Sequence, residues 1–230
     1  MKASPGARSW IAAGVRHELL TRALPALRHD MSAPVSVMRM GLLMLRRQVA
    51  APTIDPAACE QRVALIDNQI GELISAVRSL RDWELATNDD GITRTALVTQ
   101  CVGLMRAAFD LHSVRLDVDE ALLTPVEGEP VHPSGAALRY LLLGVMGHLH
   151  DTASRVASIA ITAEGDGGLC VRAVGGPAEA SELDSEPAPG AHRAPRALAI
   201  DAIALQSLAE DLGYLLVIER DTVCFALTPA

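Results

Sequence analysis

The run Leu27-Arg28-His29-Asp30-Met31-Ser32-Ala33-Pro34-Val35 sets a histidine beside an acid, with a proline five positions after the histidine. A neutral imidazole nitrogen is nucleophilic near neutral pH. The P–N bond it forms with a phosphoryl group is labile enough to pass that group on to a carboxylate. Such a transfer proceeds in line and depends mainly on positioning and charge neutralisation. Asp30 stands where it can hold one ring nitrogen as N–H and leave the other to attack. The alternative is that Asp30 is a solvated helix residue.

Other residues offer less. His148, His150 and Asp151 have metal-ligating types, but helix positions i and i+2 face apart, so a plain helix end is favoured. Asp166-Gly167-Gly168 and Gly175-Gly176 lack the G-x-x-x-x-G-K-[ST] pattern and read as turns. Arg28, Arg39, Arg46 and Arg47 offer charge to an acidic partner surface, or are simply solvated. The four cysteines, Cys59, Cys101, Cys170 and Cys224, show no C-x-x-C spacing. They point to neither a disulfide framework nor a zinc site, which suits a reducing cytosol.

The elements that must position His29 follow from apolar spacing. Leu20, Leu24, Leu27, Met31, Val35, Met38, Leu42, Leu45 and Val49 recur at steps of three or four, the stripe of one long helix. His29 lies about 200° from Leu27 and about 160° from Met31 on that helix, so it faces solvent. Pro25 and Pro34 imply a kink, or a helix starting near Pro25. Asp55 and Pro56 resemble the cap and first position of a second helix, whose Val63, Ile66, Ile70, Leu73, Val77 and Leu80 form a heptad seam. A hairpin of two such helices leaves its seam half covered. It pairs with a second copy as a four-helix bundle, or packs on the chain's own C-terminal part.

After Asn88-Asp89-Asp90-Gly91 the pattern changes. Helices are expected over 95–111, 134–149 and 196–212, and strands over 114–118, 156–163, 169–174, 214–220 and 223–227. The stretch 175–195, rich in Pro, Ala, Gly and Glu, reads as a mobile loop. The expected fold class is α+β: a helical hairpin over 1–90, then an α/β sandwich over 91–230.

Of the 230 residues, 50% are hydrophobic but only 3% aromatic, so the core must be built from aliphatic side chains, which favours helices. A formal charge of −8 argues against nucleic-acid binding. No apolar stretch reaches the roughly 18 to 20 residues of a membrane span, and residues 1–10 lack the apolar core of a signal peptide. A cytoplasmic protein without its own membrane anchor is expected, one that receives its signal from another protein.

The His-Asp-x-x-x-Pro box, the helical hairpin and the α/β lobe behind it together resemble the dimerisation and ATPase-like domains of bacterial histidine kinases, over about residues 15–228. The resemblance is to a degenerate Bergerat-type sandwich. Leu138 to His150 resembles the helix that carries the asparagine for the nucleotide's Mg²⁺, with Gly144 and His148 at the equivalent positions. Val171-Arg172-Ala173-Val174-Gly175-Gly176-Pro177 stands in place of the Asp-x-Gly-x-Gly box and has no aspartate. Pro195-Arg196-Ala197-Leu198-Ala199-Ile200 aligns with a Gly-x-Gly-Leu-Ala-Ile helix start and has lost both glycines, with proline removing a donor as well.

This combination resembles the dimeric ChpT-like histidine phosphotransferases. The resemblance implies a homodimer in which His29 takes phosphate from the receiver aspartate of an upstream hybrid histidine kinase and returns it to response-regulator receiver domains. It implies no cofactor held by this chain and no ATP binding, with Mg²⁺ supplied by the partner's receiver, and no nucleic-acid or membrane partner. Arg28, Ser32, Ala33, Ser36 and Arg39 are the expected partner-binding residues around His29 and Asp30. Ser32 stands where kinases usually carry a basic residue. Ala33 stands where bifunctional kinases place a Thr or Asn that positions hydrolytic water, so strong phosphatase activity is not expected. The rival readings are a non-catalytic adaptor, or a pseudokinase that grips a regulator or kinase through the same helices.

Overall fold

A computed structural model of the chain describes residues 4–82, 90–153, 156–165, 167–175 and 198–229, with the backbone alone for 79–82. Its first element, α1, runs from Pro5 to Val49. Ser4 caps it by accepting a hydrogen bond from the Ala7 N–H at 3.3 Å, and Pro5 takes the first helical position, where its missing N–H costs nothing. The helix passes through both Pro25 and Pro34, so of the two readings, a kink or a start near Pro25, the start is excluded by twenty residues. Each proline leaves the carbonyl one turn earlier, on Thr21 and on Asp30, without its helical donor. Burial offsets that cost: Ala23, Ala26 and Leu27 flank Pro25 in the interior, and Pro34 is itself buried.

A short turn leads to α2, Pro56–Asp82. Asp55 caps it as expected, its Oδ1 accepting from the N–H groups of Ala57 and Ala58 at 3.1 and 3.3 Å. α1 and α2 pack as an antiparallel hairpin. The helices close up at Gly41, where an added Cβ would stand 3.1 Å from Ile66 Cγ1. Among the described side chains of α2, from 56 to 78, none is buried.

The remaining chain is a two-layer α/β lobe. β1 (Ile92–Thr93) and β3 (Val131–His132) form a small antiparallel pair, and α3 (Arg94–Asp110) follows the first of them. β2 (Arg115–Val118) is followed by a single 3-10 turn at Glu120–Leu122, α4 spans Gly135–Thr152, and β4 and β5 span Val156–Glu164 and Gly168–Gly175. α5 (Ala202–Leu212), β6 (Leu216–Glu219) and β7 (Thr222–Ala226) close the fold. The main sheet has the order β2-β4-β5-β7-β6, with β2 and β4 parallel and every other pair antiparallel. Alternate residues Ile159, Ile161, Leu169, Val171, Ala173, Val223 and Phe225 turn inward beneath the helices, the period-two pattern of a half-buried sheet.

The helix expected over 196–212 begins at Ala202, because Asp201 adopts an extended conformation and caps it, accepting from the Ala204 N–H at 2.8 Å. The loop expected over 175–195 lies outside the described residues, apart from Gly175, which ends β5. Pro195, Arg196, Ala197, Asp166, Gly176 and Pro177 lie outside them as well. Against the expectation of unpaired cysteines, Cys170 and Cys224 form a disulfide. They sit directly opposite each other on β5 and β7, a juxtaposition set by strand register and invisible in linear spacing. The short β1 and β3 and the 3-10 turn have no counterpart in the sequence reading.

The first half of α1 belongs to the core of the lobe. Ala12, Val15, Leu19, Ala23 and Leu27 join the same buried cluster as α3, α4, α5 and the sheet. Ion pairs rim the contact: Arg8 with Glu210, and Arg16 with Asp211 at 2.7 Å. Leu20, Leu24, Val35, Leu42 and Val49 of the sequence stripe remain exposed, while Met31, Met38 and Leu45 are half-buried. No helix is long and apolar enough to cross a membrane among the described residues.

Candidate functional site

His29 projects from α1 with 77% of its side chain accessible. It opens onto a groove of about 470 Å³ between the two helices of the hairpin. From α1 the lining residues include Asp30, Ala33 and Pro34, and from α2 Gln69, Glu72 and Ser75. The groove exists because residues 29–37 run antiparallel to 69–76 and both segments turn small or polar side chains toward it. The α2 wall therefore carries a carboxylate and two hydrogen-bonding side chains, and the α1 wall carries the imidazole beside Asp30.

Asp30 Oδ1 lies 3.6 Å from His29 Nδ1, a separation that allows electrostatic attraction but is too long for a hydrogen bond. Ser32 Oγ donates to the His29 carbonyl at 3.2 Å, and Ser36 Oγ donates to the Ser32 carbonyl at 3.1 Å. These bonds tie both hydroxyls to their own helix. Pro34 has no N–H to offer the Asp30 carbonyl, so the backbone immediately after His29 keeps an acceptor without its helical donor.

Six of the seven residues singled out from sequence divide between two faces. His29, Asp30 and Ala33 share the groove with α2. Arg28, Ser32 and Ser36 line a second, more apolar groove of about 560 Å³ with Leu24, Leu27, Met31 and Val35. Arg39 is exposed and lines neither. His29 lies between the two faces. The residues missed by the sequence reading are Gln69, Glu72 and Ser75. A signal for two of them was present, since Gln69 and Glu72 each stand one position before a seam residue, Ile70 and Leu73.

Seven residues before His29, about 10 Å along the helix axis, Arg22 fixes α1 to the lobe. Its guanidinium donates to both oxygens of Asp151 at 2.8 Å, to Glu18 Oε1 at 2.9 Å and to the Leu198 carbonyl at 2.7 Å. Asp151 also accepts from the Ile200 N–H at 2.7 Å and from His150 Nδ1 at 3.1 Å. Burial pushes the Asp151 carboxyl up. Hydrogen bonds from His150, Arg22 and Ile200, with the charge of Arg22, outweigh burial and hold it down to about 2. His148 is buried and donates from Nδ1 to the Ile200 carbonyl at 2.8 Å. The histidines at the end of α4 thus serve the joint between α4, α1 and the segment before α5.

Gly144, one of the two positions likened to a nucleotide-binding helix, and Gly147, next to the other, His148, are packed. At Gly144 an added Cβ would come within 2.6 Å of Leu208 Cδ2, and at Gly147 within 2.8 Å of Ile200 Cδ1. Val171 and Ala173, from the strand aligned with the adenine box, are buried in the sheet.

No family model matches the chain, and no curated protein matches it in sequence. Among solved structures, the histidine kinase AdeS of Acinetobacter baumannii is similar over 86% of this chain and 94% of that one, with 15% identity and a TM-score of 0.32. A histidine kinase from Burkholderia phymatum STM815 is similar over 88% and 98%, with 14% identity and a TM-score of 0.36. Likenesses of this degree establish neither fold nor chemistry, and the function has to be read from the site itself.

Proposed function

We propose that the chain is a histidine phosphotransferase of a two-component phosphorelay, in which His29 accepts a phosphoryl group from a receiver aspartate and returns it to another. One observation carries the reading: an accessible imidazole on a long helix, at the edge of a groove between two packed helices. In the transfer, the imidazole nitrogen attacks phosphorus as the aspartyl oxygen leaves, and the reverse step restores neutral histidine. Asp30 acts by its charge on the ring. The metal that neutralises the phosphoryl oxygens belongs to the receiver.

A chain that does not charge itself from ATP is supported by the close packing at Gly144 and Gly147 and by the buried hydrogen bond of His148. A homodimeric bundle is supported by α2, which leaves Val63, Ile70, Ile74 and Val77 exposed on a helix without one buried side chain among those described. In this reading 1–90 is the transfer and dimerisation unit and 91–230 a degenerate ATPase-like lobe, with the first half of α1 joining the two. The site is cytoplasmic, where receiver domains and an upstream hybrid kinase are available to it.

The test is to incubate the full chain with a receiver labelled with ³²P on its aspartate. Acid-labile, base-stable label is expected on the wild type and none on His29→Ala, with dimer mass unchanged by light scattering. An adaptor would bind the receiver and stay unlabelled. Rapid release of inorganic phosphate that depends on this chain would indicate a phosphatase and overturn the carrier assignment.

A further inference from the structure

We propose that Cys170 and Cys224, once their disulfide is reduced, form with Glu164 a binding site for a thiophilic divalent cation of the zinc class. The inference is independent of the phosphotransfer reading. Register places the two cysteines directly opposite each other on β5 and β7, on the face of the sheet turned away from the helices. Both are partly accessible, Glu164 at the end of β4 is exposed, and the candidate donor atoms of all three lie within 4.8 Å of one another. Glu164 Oε2 stands 3.4 Å from Cys170 Sγ. No other such group of three occurs among the described residues.

The donor set selects the ion. Two thiolates and a carboxylate are a zinc-type set, and the tetrahedral preference of zinc leaves a fourth position for water. When the S–S bond breaks, the sulfurs part to about van der Waals separation, ~3.5–4 Å. A tetrahedral ion holding each sulfur at about 2.3 Å requires much the same spacing, so the strands need not move apart. Cys101 does not compete, since it is fully buried and burial pushes its thiol up. Cys59 stands apart from the sheet, on α2.

The chemistry balances with a low-molecular-weight thiol as reductant. Two such thiols convert the protein disulfide into two protein thiols and leave as their own disulfide. The cation then displaces two protons from the protein thiols and binds the resulting thiolates. Because the same sulfurs serve both states, disulfide and metal exclude each other.

To test this, the full chain is reduced, freed of reductant under nitrogen and titrated with Co²⁺, then with Zn²⁺ against a chromophoric chelator. One ion per chain and a thiolate-to-cobalt charge-transfer band that Zn²⁺ abolishes are expected. The same chain oxidised by a low-molecular-weight disulfide should show neither, a comparison that needs no variant to fold. Cys170→Ser should lose the band, Glu164→Gln should weaken binding about tenfold or more, and Cys59→Ser should change nothing. Reduced protein without the band overturns the site, as does binding that survives oxidation or Cys170→Ser, or wild-type affinity in Glu164→Gln.

Discussion

Replacing Arg22 with methionine keeps the length of the side chain and removes the one cation shared by Glu18 and Asp151. The side chains of Arg22, Asp151 and Glu18 are 19%, 10% and 9% accessible, so two carboxylates would stay in a largely dry joint. Breaking a fully buried pair costs about 3 to 5 kcal/mol. The residual accessibility here reduces that to about 2 to 3 kcal/mol, because water reaches part of the cluster. For a chain of this size the loss corresponds to a fall in Tm of about 4 to 12 °C. The Asp151 carboxyl ionises at about 2 in the folded chain against an ordinary 3.8. Its contribution is therefore complete well above pH 4 and disappears as pH falls through 2. The part of the wild-type advantage carried by Asp151 should shrink by about half by pH 3. Urea unfolding followed by far-UV circular dichroism, at fixed protein concentration between pH 7 and pH 3, measures both effects. The double variant with Asp151→Asn should lose less than the sum of its parts. A loss below about 0.5 kcal/mol at pH 7, or one that stays constant down to pH 3, would refute the assignment of Arg22 as the cation that joins α1 to the lobe.

Ile70→Glu removes an apolar side chain that is 43% accessible and, in the proposed homodimer, sets a charge in each half of the seam. At about 1 kcal/mol per copy from lost burial alone, dimer affinity should fall at least about thirtyfold, which sedimentation velocity will detect. Asp30→Asn should slow labelling of His29 less than about tenfold in rapid-quench assays, because the 3.6 Å gap to Nδ1 leaves no hydrogen bond to lose. A loss nearer a thousandfold would make Asp30 an obligatory base. Gly144→Val drives a branched side chain against Leu208 and Leu205 and should destabilise the lobe by about 1 to 3 kcal/mol, measured by thermal unfolding.

The parts of the molecule that were legible in the sequence are those governed by local periodicity. The outward direction of His29, the cap at Asp55 and the alternating strands of the sheet each follow from residues within a few positions of one another. The docking of α1 on the lobe was not legible, because its buried side includes Ala12 and Ala23, residues too small to mark a stripe. Arg22 and Asp151 are separated by 129 positions, and nothing local announces their pairing. Of the two readings the helical prolines allowed, a kink or a start near Pro25, the late start is excluded, because the helix begins at Pro5 and runs through both. The floor of the groove came from Gln69, Glu72 and Ser75, polar residues whose meaning depends on which helix they face. The cysteine pair was hidden for the same reason, since strand register decides which residues lie opposite.

One continuous helix serves as a wall of the lobe and as half of the hairpin. Its 45 residues make a shaft about 67 Å long, gripped at one end, with the imidazole near the midpoint. The far half is braced in turn by α2, so His29 stands between two separately held halves of one helix. In the proposed relay, donor and acceptor would both have to come to that one fixed position.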